Sequence, residues 1–270
     1  MKTLVEKTYV SEDAILSYAV YLKGVKVLFD GFKALDIAEF GVHFNDLRVV
    51  IGPNGAGKTT LCDVISGKTR VTEGRVFFNK EESTHMSDVE ISTAGVGRKF
   101  QTPTIFDSLT VYENMELALP GRRGVFRNLW AKESSAERDR IMALLKRVHL
   151  DQSAKRQAKY LSHGERQWLE ISMLIVASPK LLLVDEPAAG LTDKETVLTA
   201  ELLAELKGTH TIIVIEHDMD FVRRLNSRVT VLDNGMVLAD GTLDEVQKDE
   251  KVIAAYLGGN VEIDLKARQA

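Results

Sequence analysis

The sequence predicts an α/β fold with a parallel sheet at its centre, and three observations predict it. Residues 52–59, Gly52-Pro53-Asn54-Gly55-Ala56-Gly57-Lys58-Thr59, fit the pattern G-x-x-x-x-G-K-[ST] without a mismatch. The strand-like run Arg48-Val49-Val50-Ile51 precedes them, and Thr60-Leu61-Cys62-Asp63-Val64-Ile65, spaced as a helix, follows. A second apolar run, Leu181-Leu182-Leu183-Val184, ends in Asp185 and Glu186. Continuous apolar runs of this length are strands buried on both faces, as in a parallel sheet covered by helices. Ligands of such sheets bind beyond the carboxyl ends of the strands, where both polar segments fall.

The chemistry of the two segments is complementary. Glycines in residues 52–57 let successive N–H groups turn inward toward phosphate oxygens, and the helix N-terminus that follows adds its partial positive charge. Lys58 is placed to reach terminal phosphates and Thr59 to put its hydroxyl on Mg²⁺, with Thr60 beside it. Asp185 is placed to hold Mg²⁺ through water. Glu186, one residue further, is placed to orient or deprotonate an attacking water.

Composition sets the outer bounds. The chain has 270 residues, 44% of them apolar and 27% charged, which suits a globular core with room for a second subdomain. The net charge of −4 argues against a general basic field for nucleic acid. The single cysteine, Cys62, excludes an intrachain disulfide. No apolar run approaches the roughly 18 residues that span a bilayer, and Met1 to Ser11 has no apolar signal core. A cytoplasmic protein that meets a membrane only through a partner is the expectation.

Along the chain, residues 14–51 carry β-branched and aromatic runs broken by Gly24, Gly31 and Gly41, which predicts strands and hairpins ahead of the phosphate loop. Residues 74–78 are a further strand. From 107 to 178 the texture is helical: Val111 to Leu119, Ala136 to His149 with Ile141, Leu144, Leu145 and Val148 on one face, and Ser162 to Ala177, stopped by Ser178-Pro179. Strands return at 181–184, 211–215 and 229–232, and Asp233-Asn234-Gly235 is a hairpin turn.

Weaker signals gather around this frame. Gln101 ends the run Val96 to Phe100 and is read either as a group near Mg²⁺-bound water or as a surface residue. Ser162 and Glu165 have the spacing of a capping box. Gly164 is costly in a first helical turn and hints at close approach by another group. His217, after Glu216 at the end of a strand, is read as a γ-phosphate donor or as a structural histidine. Phe29 is read as a stacking partner for a purine or as a core residue. Pro187 to Asp193 is a turn that resets the chain after Glu186.

In order and spacing these features resemble an ATP-binding-cassette ATPase, over about Ala14 to Gly258. Phe29 falls on that family's A-loop, 52–59 on Walker A, Gln101 on the Q-loop, 161–165 on the signature, 181–186 on Walker B and His217 on the switch histidine. The resemblance implies a P-loop NTPase (RecA-like) core from 1–100 and 179–258 with an N-terminal antiparallel β subdomain, an inserted helical subdomain at 101–178, and a tail at 259–270. It implies ATP and Mg²⁺ held by Phe29, Gly52, Pro53, Asn54, Gly55, Ala56, Gly57, Lys58, Thr59, Thr60 and Gln101, with Ser162, Gly164 and Glu165 serving the nucleotide of the opposite cassette. Thr59, Gln101 and Asp185 would serve the metal, and Glu186, His217 and Lys58 the reaction.

Importer subunits of the branched-chain amino-acid type are the most similar group, and Phe29 to Leu35, Gly97 to Gln101, Leu161 to Ile171 and Glu186 to Leu191 look like the urea or short-chain amide branch. The partners implied are a second cassette, identical or different, transmembrane permease subunits, and indirectly an extracytoplasmic solute-binding protein. The implied place is the cytoplasmic face of the inner membrane. Gly121 to Trp130, with Arg122, Arg123 and Arg127, reads either as part of the helical core or as a surface toward the membrane partner.

Two departures stand out. The signature LSGGQ becomes Leu161-Ser162-His163-Gly164-Glu165, and the D-loop aspartate of SALD is replaced by Thr192. The competing readings are a branched-chain amino-acid importer ATPase, a soluble cassette of DNA repair or translation, an exporter cassette, and a module that binds ATP without hydrolysis. The joint presence of Lys58, Asp185, Glu186 and His217 argues against the last.

Overall fold

The computed structural model describes residues 15–98, 105–120 and 134–258. Gln101, the Arg122–Trp130 segment and the 259–270 tail lie outside the described residues. Two sheets organise the chain. The first is antiparallel, in the order β2-β1-β4-β5, from Tyr18–Phe29 (β1), Phe32–His43 (β2), Glu73–Phe78 (β4) and Glu81–Glu82 (β5). The second runs β10-β9-β3-β8-β7-β6, from Leu47–Ile51 (β3), Val96–Arg98 (β6), Leu181–Asp185 (β7), Thr211–Ile215 (β8), Arg228–Asp233 (β9) and Met236–Gly241 (β10). Its strands are parallel except β10, which returns antiparallel on β9.

The reason for the unbroken apolar runs is visible in which side each residue faces. Leu182, Val184, Ile212 and Val214 join one core, and their neighbours Leu181, Leu183, Ile213 and Ile215 join another. Side chains alternate along a strand, so a sheet covered on both faces needs apolar residues at every position. One face is covered by the antiparallel sheet and by Lys58–Ile65 (α1) through Leu61, Cys62, Val64 and Ile65. The other is covered by helices, including Val111–Leu117 (α3), Ser135–Arg147 (α4), His163–Val176 (α5) and Asp193–Leu206 (α6). Asp88–Ala94 (α2) precedes β6, and Met219–Leu225 (α7), Leu243–Val246 (α8) and Glu250–Gly258 (α9) complete the chain.

The helical segments fall within two residues of the periodicity reading. Ile141, Leu144, Leu145 and Val148 are all buried, as their shared face predicts. The early glycines are a correction. Gly24 and Gly41 do not break strands: β1 runs through the first and β2 through the second, and only Asp30-Gly31 turns the chain. Gly24 sits instead at a register irregularity between β1 and β4. At Gly41 a side chain would collide with the Tyr18 ring, which stacks on His43.

Two polar links tie neighbouring elements, one between helices and one within the parallel sheet. On α5, Trp168 donates its indole N–H to Thr199 Oγ1 on α6 at 2.9 Å. On β3, Arg48 is 4% exposed and donates to Thr230 on β9 at 3.0 Å and to Asp240 on β10, which also takes Arg228. A buried guanidinium left without its carboxylate is strongly destabilising. Asp240→Ala is therefore expected to lower unfolding free energy by about 3 kcal/mol, read from urea midpoints at constant slope.

Candidate functional site

Parallel pairing of β3 with β8, and of β8 with β7, sets the loops after these three strands side by side. They are residues 52–58, Asp185-Glu186 with the turn that follows, and Glu216-His217. The carboxyl edge of the sheet thus collects the glycine-rich loop, Asp185 and Glu186, and the histidine.

Gly52 and Gly57 have φ of 153° and 98°, and a Cβ at either would strike backbone, Leu232 O at 2.2 Å or Ala34 O at 2.8 Å. No other residue type fits this loop against β2 and β9. The β9–β10 turn clamps it: Gly235 donates its N–H to Ala56 O at 3.1 Å, and Asp36 of β2 donates to Gly235 O at 2.8 Å. The helix the loop opens, α1, has no side-chain cap, whereas the helices after Ser87, Thr110, Ser134, Ser162, Thr192 and Thr242 each carry a capping box. Uncapped N–H groups at a helix start favour an anion. Lys58 folds back to donate to Gly52 O at 2.7 Å and Pro53 O at 2.9 Å. Burial pulls its ammonium below the usual lysine range, and Glu186 and Asp185 pull it back up. Thr59 is exposed and Thr60 half-buried beside it, while Asn54 and Gly55 form the open crest of the loop.

Asp185 is the electrostatic counterpart. Its Oδ2 is buried with no hydrogen-bond partner. Burial raises its pKa, Glu186 raises it further, and Arg98 and Lys58 act the other way. An orphaned carboxylate oxygen, on the sheet edge that also carries the Thr59 hydroxyl, supplies the kind of oxygen donor that a hard divalent cation fits. Glu186 is half exposed with φ +48°, and its Oε1 lies 3.8 Å from His217 Nδ1.

Phe29 is 49% exposed at the end of the β1–β2 hairpin, so the core alternative does not hold. The signature residues stand apart. Among the described residues no hydrogen bond or ion pair joins Ser162, Gly164 or Glu165 to residues 52–60. Ser162 Oγ accepts from Glu165 N–H at 3.2 Å and Glu165 accepts from Ser162 N–H at 2.7 Å, a complete capping box. The group that comes close to Gly164 is Glu195 of α6, whose Oε1 would lie 2.0 Å from a Cβ. His163 sets Nε2 3.3 Å from Ala189 O. Thr192, in place of the D-loop aspartate, caps α6 through Glu195. Sequence reasoning assigned no role to Gln167 or Glu216, yet both bind the turn after β7; neither has a signal in spacing or type, since each reads as an ordinary solvated polar residue.

The ABC transporter family profile matches residues 35–189, and a second, for branched-chain amino acid ATP-binding cassette transporters, matches 236–262. The chain belongs to the ABC transporter family. The high-affinity branched-chain amino acid transport ATP-binding protein LivG of Salmonella typhimurium is 36% identical over 246 residues, covering 88% of this chain and 96% of that protein. The ADP conformation of an ATP-binding cassette of an ABC transporter is 30% identical with a TM-score of 0.76, over 89% of this chain and 99% of that one. A bacterial ABC transporter cassette solved as a dimer is 26% identical with a TM-score of 0.71, over 83% and 98%. This cassette is thus an ATP-binding ATPase subunit of the branched-chain amino-acid transporter type. None of its described helices is long and apolar enough to cross a membrane.

The raised pKa of Asp185 has a consequence for stability. A folded pKa above the unfolded value means the ionised carboxylate costs stability at neutral pH, and that cost is relieved as pH falls through the folded pKa. Asp185→Asn is expected to stabilise the nucleotide-free cassette at pH 7 by about 1 kcal/mol. The gain in melting temperature over wild type should shrink as the pH is lowered toward 4, about the unfolded value.

Proposed function

We propose that this cassette binds ATP with Mg²⁺ and hydrolyses it to drive uptake of a small solute through transmembrane permease subunits. It would act from the cytoplasmic face of the inner membrane. The observation that carries the reading is the meeting, at one sheet edge, of an uncapped phosphate-loop helix with the unpartnered Oδ2 of Asp185. In this reading the N–H groups of 52–59 and Lys58 hold the phosphates. Phe29 takes the base, and Thr59, Asp185 and Gln101 serve Mg²⁺, which would neutralise charge on the phosphates. Glu186 orients the attacking water and His217 donates to the γ-phosphate. Ser162, Gly164 and Glu165, which do not reach this chain's own phosphate loop, serve the nucleotide of a second cassette. That role requires a dimer, homomeric or heteromeric. The ATP-binding core comprises 1–100 and 179–258 with its antiparallel β subdomain, and the helical subdomain comprises 101–178.

For the solute, the names of the relatives support branched-chain amino acids over the urea or short-chain amide reading. The latter rests on the residue-level likeness of Phe29 to Leu35, Gly97 to Gln101, Leu161 to Ile171 and Glu186 to Leu191. Uptake of labelled leucine and labelled urea by the assembled transporter separates the two. Leucine uptake with no urea uptake is expected, and the reverse would restore the urea reading.

Glu186→Gln is expected to keep ATP binding, to lower this cassette's turnover at least a hundredfold on the order of a lost general base, and to accumulate an ATP-bound dimer in gel filtration. Near-wild-type turnover would remove Glu186 from the reaction. Lys58→Ala deletes the charge on the phosphate loop, so nucleotide affinity itself should fall about tenfold or more, measured by titration with a fluorescent ATP analogue.

A further inference from the structure

Glu216 follows β8 and is 1% exposed, with its side chain wholly enclosed. A buried carboxylate is tolerated only where its oxygens are hydrogen-bonded or paired. Among the described residues the only Lys, Arg or His side chain within 4 Å is the imidazole of His217, at 3.6 Å. Backbone N–H groups do the rest. Ala188 donates to Oε1 at 2.9 Å, and His217 and Asp218 donate to Oε2 at 2.7 and 3.2 Å. One carboxylate therefore ties the turn after β7 to the turn after β8, that is, the segment carrying Glu186 to the segment carrying His217.

The same turn is held from a second side. Gln167, 7% exposed on α5, donates its amide to Pro187 O at 2.5 Å and Glu186 O at 3.4 Å. Glu186 N–H donates to Ile215 O at 2.9 Å. Between these anchors Glu186 keeps a φ of +48°. A left-handed conformation is unfavourable for a residue with a side chain and persists only where the surroundings over-determine it.

We propose that Glu216 is a positioning residue for hydrolysis. Its carboxylate, with Gln167 opposite, holds Glu186 in its strained conformation and at a fixed separation from His217. The proposal rests on the roles given above to Glu186 and His217. It adds that the alignment of those two groups depends on a buried carboxylate whose oxygens are taken by backbone N–H groups.

The test compares Glu216→Gln with Glu186→Gln in the chain assembled with its membrane subunits. Glutamine keeps the size of Glu216 but turns an NH₂ group toward N–H donors. The expected result is that Glu216→Gln loses more than half of the turnover that Glu186→Gln loses, while KM and the affinity of the purified chain for a fluorescent ATP analogue stay within about threefold of wild type. Retention of half or more of that turnover per folded chain overturns the proposal, even with a lowered melting temperature. So does an affinity loss beyond threefold, which would mean an effect through the phosphate loop. Either result leaves Glu186 in its role, whereas full turnover in Glu186→Gln overturns the role itself. Should Glu216→Gln fail to fold, Gln167→Met carries the same comparison. It keeps the volume, leaves Glu216 in place and removes only the donor to the 186 and 187 carbonyls, and turnover of half or more there overturns the proposal.

Discussion

Burial of the parallel sheet on both faces is the constraint from which the rest follows. Strands β3, β7 and β8 are apolar at nearly every position because each face meets its own core. Polar chemistry is thereby kept mostly to the strand ends, with Arg48 and Thr230 paired inside the sheet as the exception. Parallel pairing puts the ends on one edge, so the phosphate loop, Asp185-Glu186 and Glu216-His217 meet without any local sequence signal bringing them together.

The edge is costly to fold, and the structure shows where. Lys58 donates to its own loop's carbonyls, Asp185 keeps a buried oxygen without a partner, and Glu186 stands in a left-handed conformation. The unpartnered carboxylate oxygen and the left-handed backbone each oppose folding slightly. The counterweight is elsewhere: two apolar cores, the Arg48–Asp240 link and the enclosed hydrogen bonds of Glu216 and Gln167.

Much of this was legible in the sequence, for identifiable reasons. The phosphate loop could be read because its glycines answer local backbone demands, and β7 because two-sided burial leaves a run of apolar residues. The capping box at Ser162 and Glu165 was legible from spacing, and the crowding at Gly164 from its poor helical propensity. The partner at Gly164 was not legible, since Glu195 lies on another helix. Gly24 and Gly41 misled because a glycine inside a strand reads as a break until its register and its aromatic neighbours are known.

The sequence by itself determined the α/β class, the glycine-rich loop at 52–59, the carboxylate pair at the end of β7 and the helices between β6 and β7, all of which depend on interactions within a few residues or on one period of burial. Only the tertiary structure decided how these parts face each other. It set Glu186 against His217, engaged Ser162 and Glu165 with each other and not with residues 52–60, and turned Glu216 inward onto three N–H groups. A carboxylate at the end of a strand has the same local sequence whether it meets water or a neighbouring turn. What it touches is fixed by strand order and helix packing, and neither is written in the residues beside it.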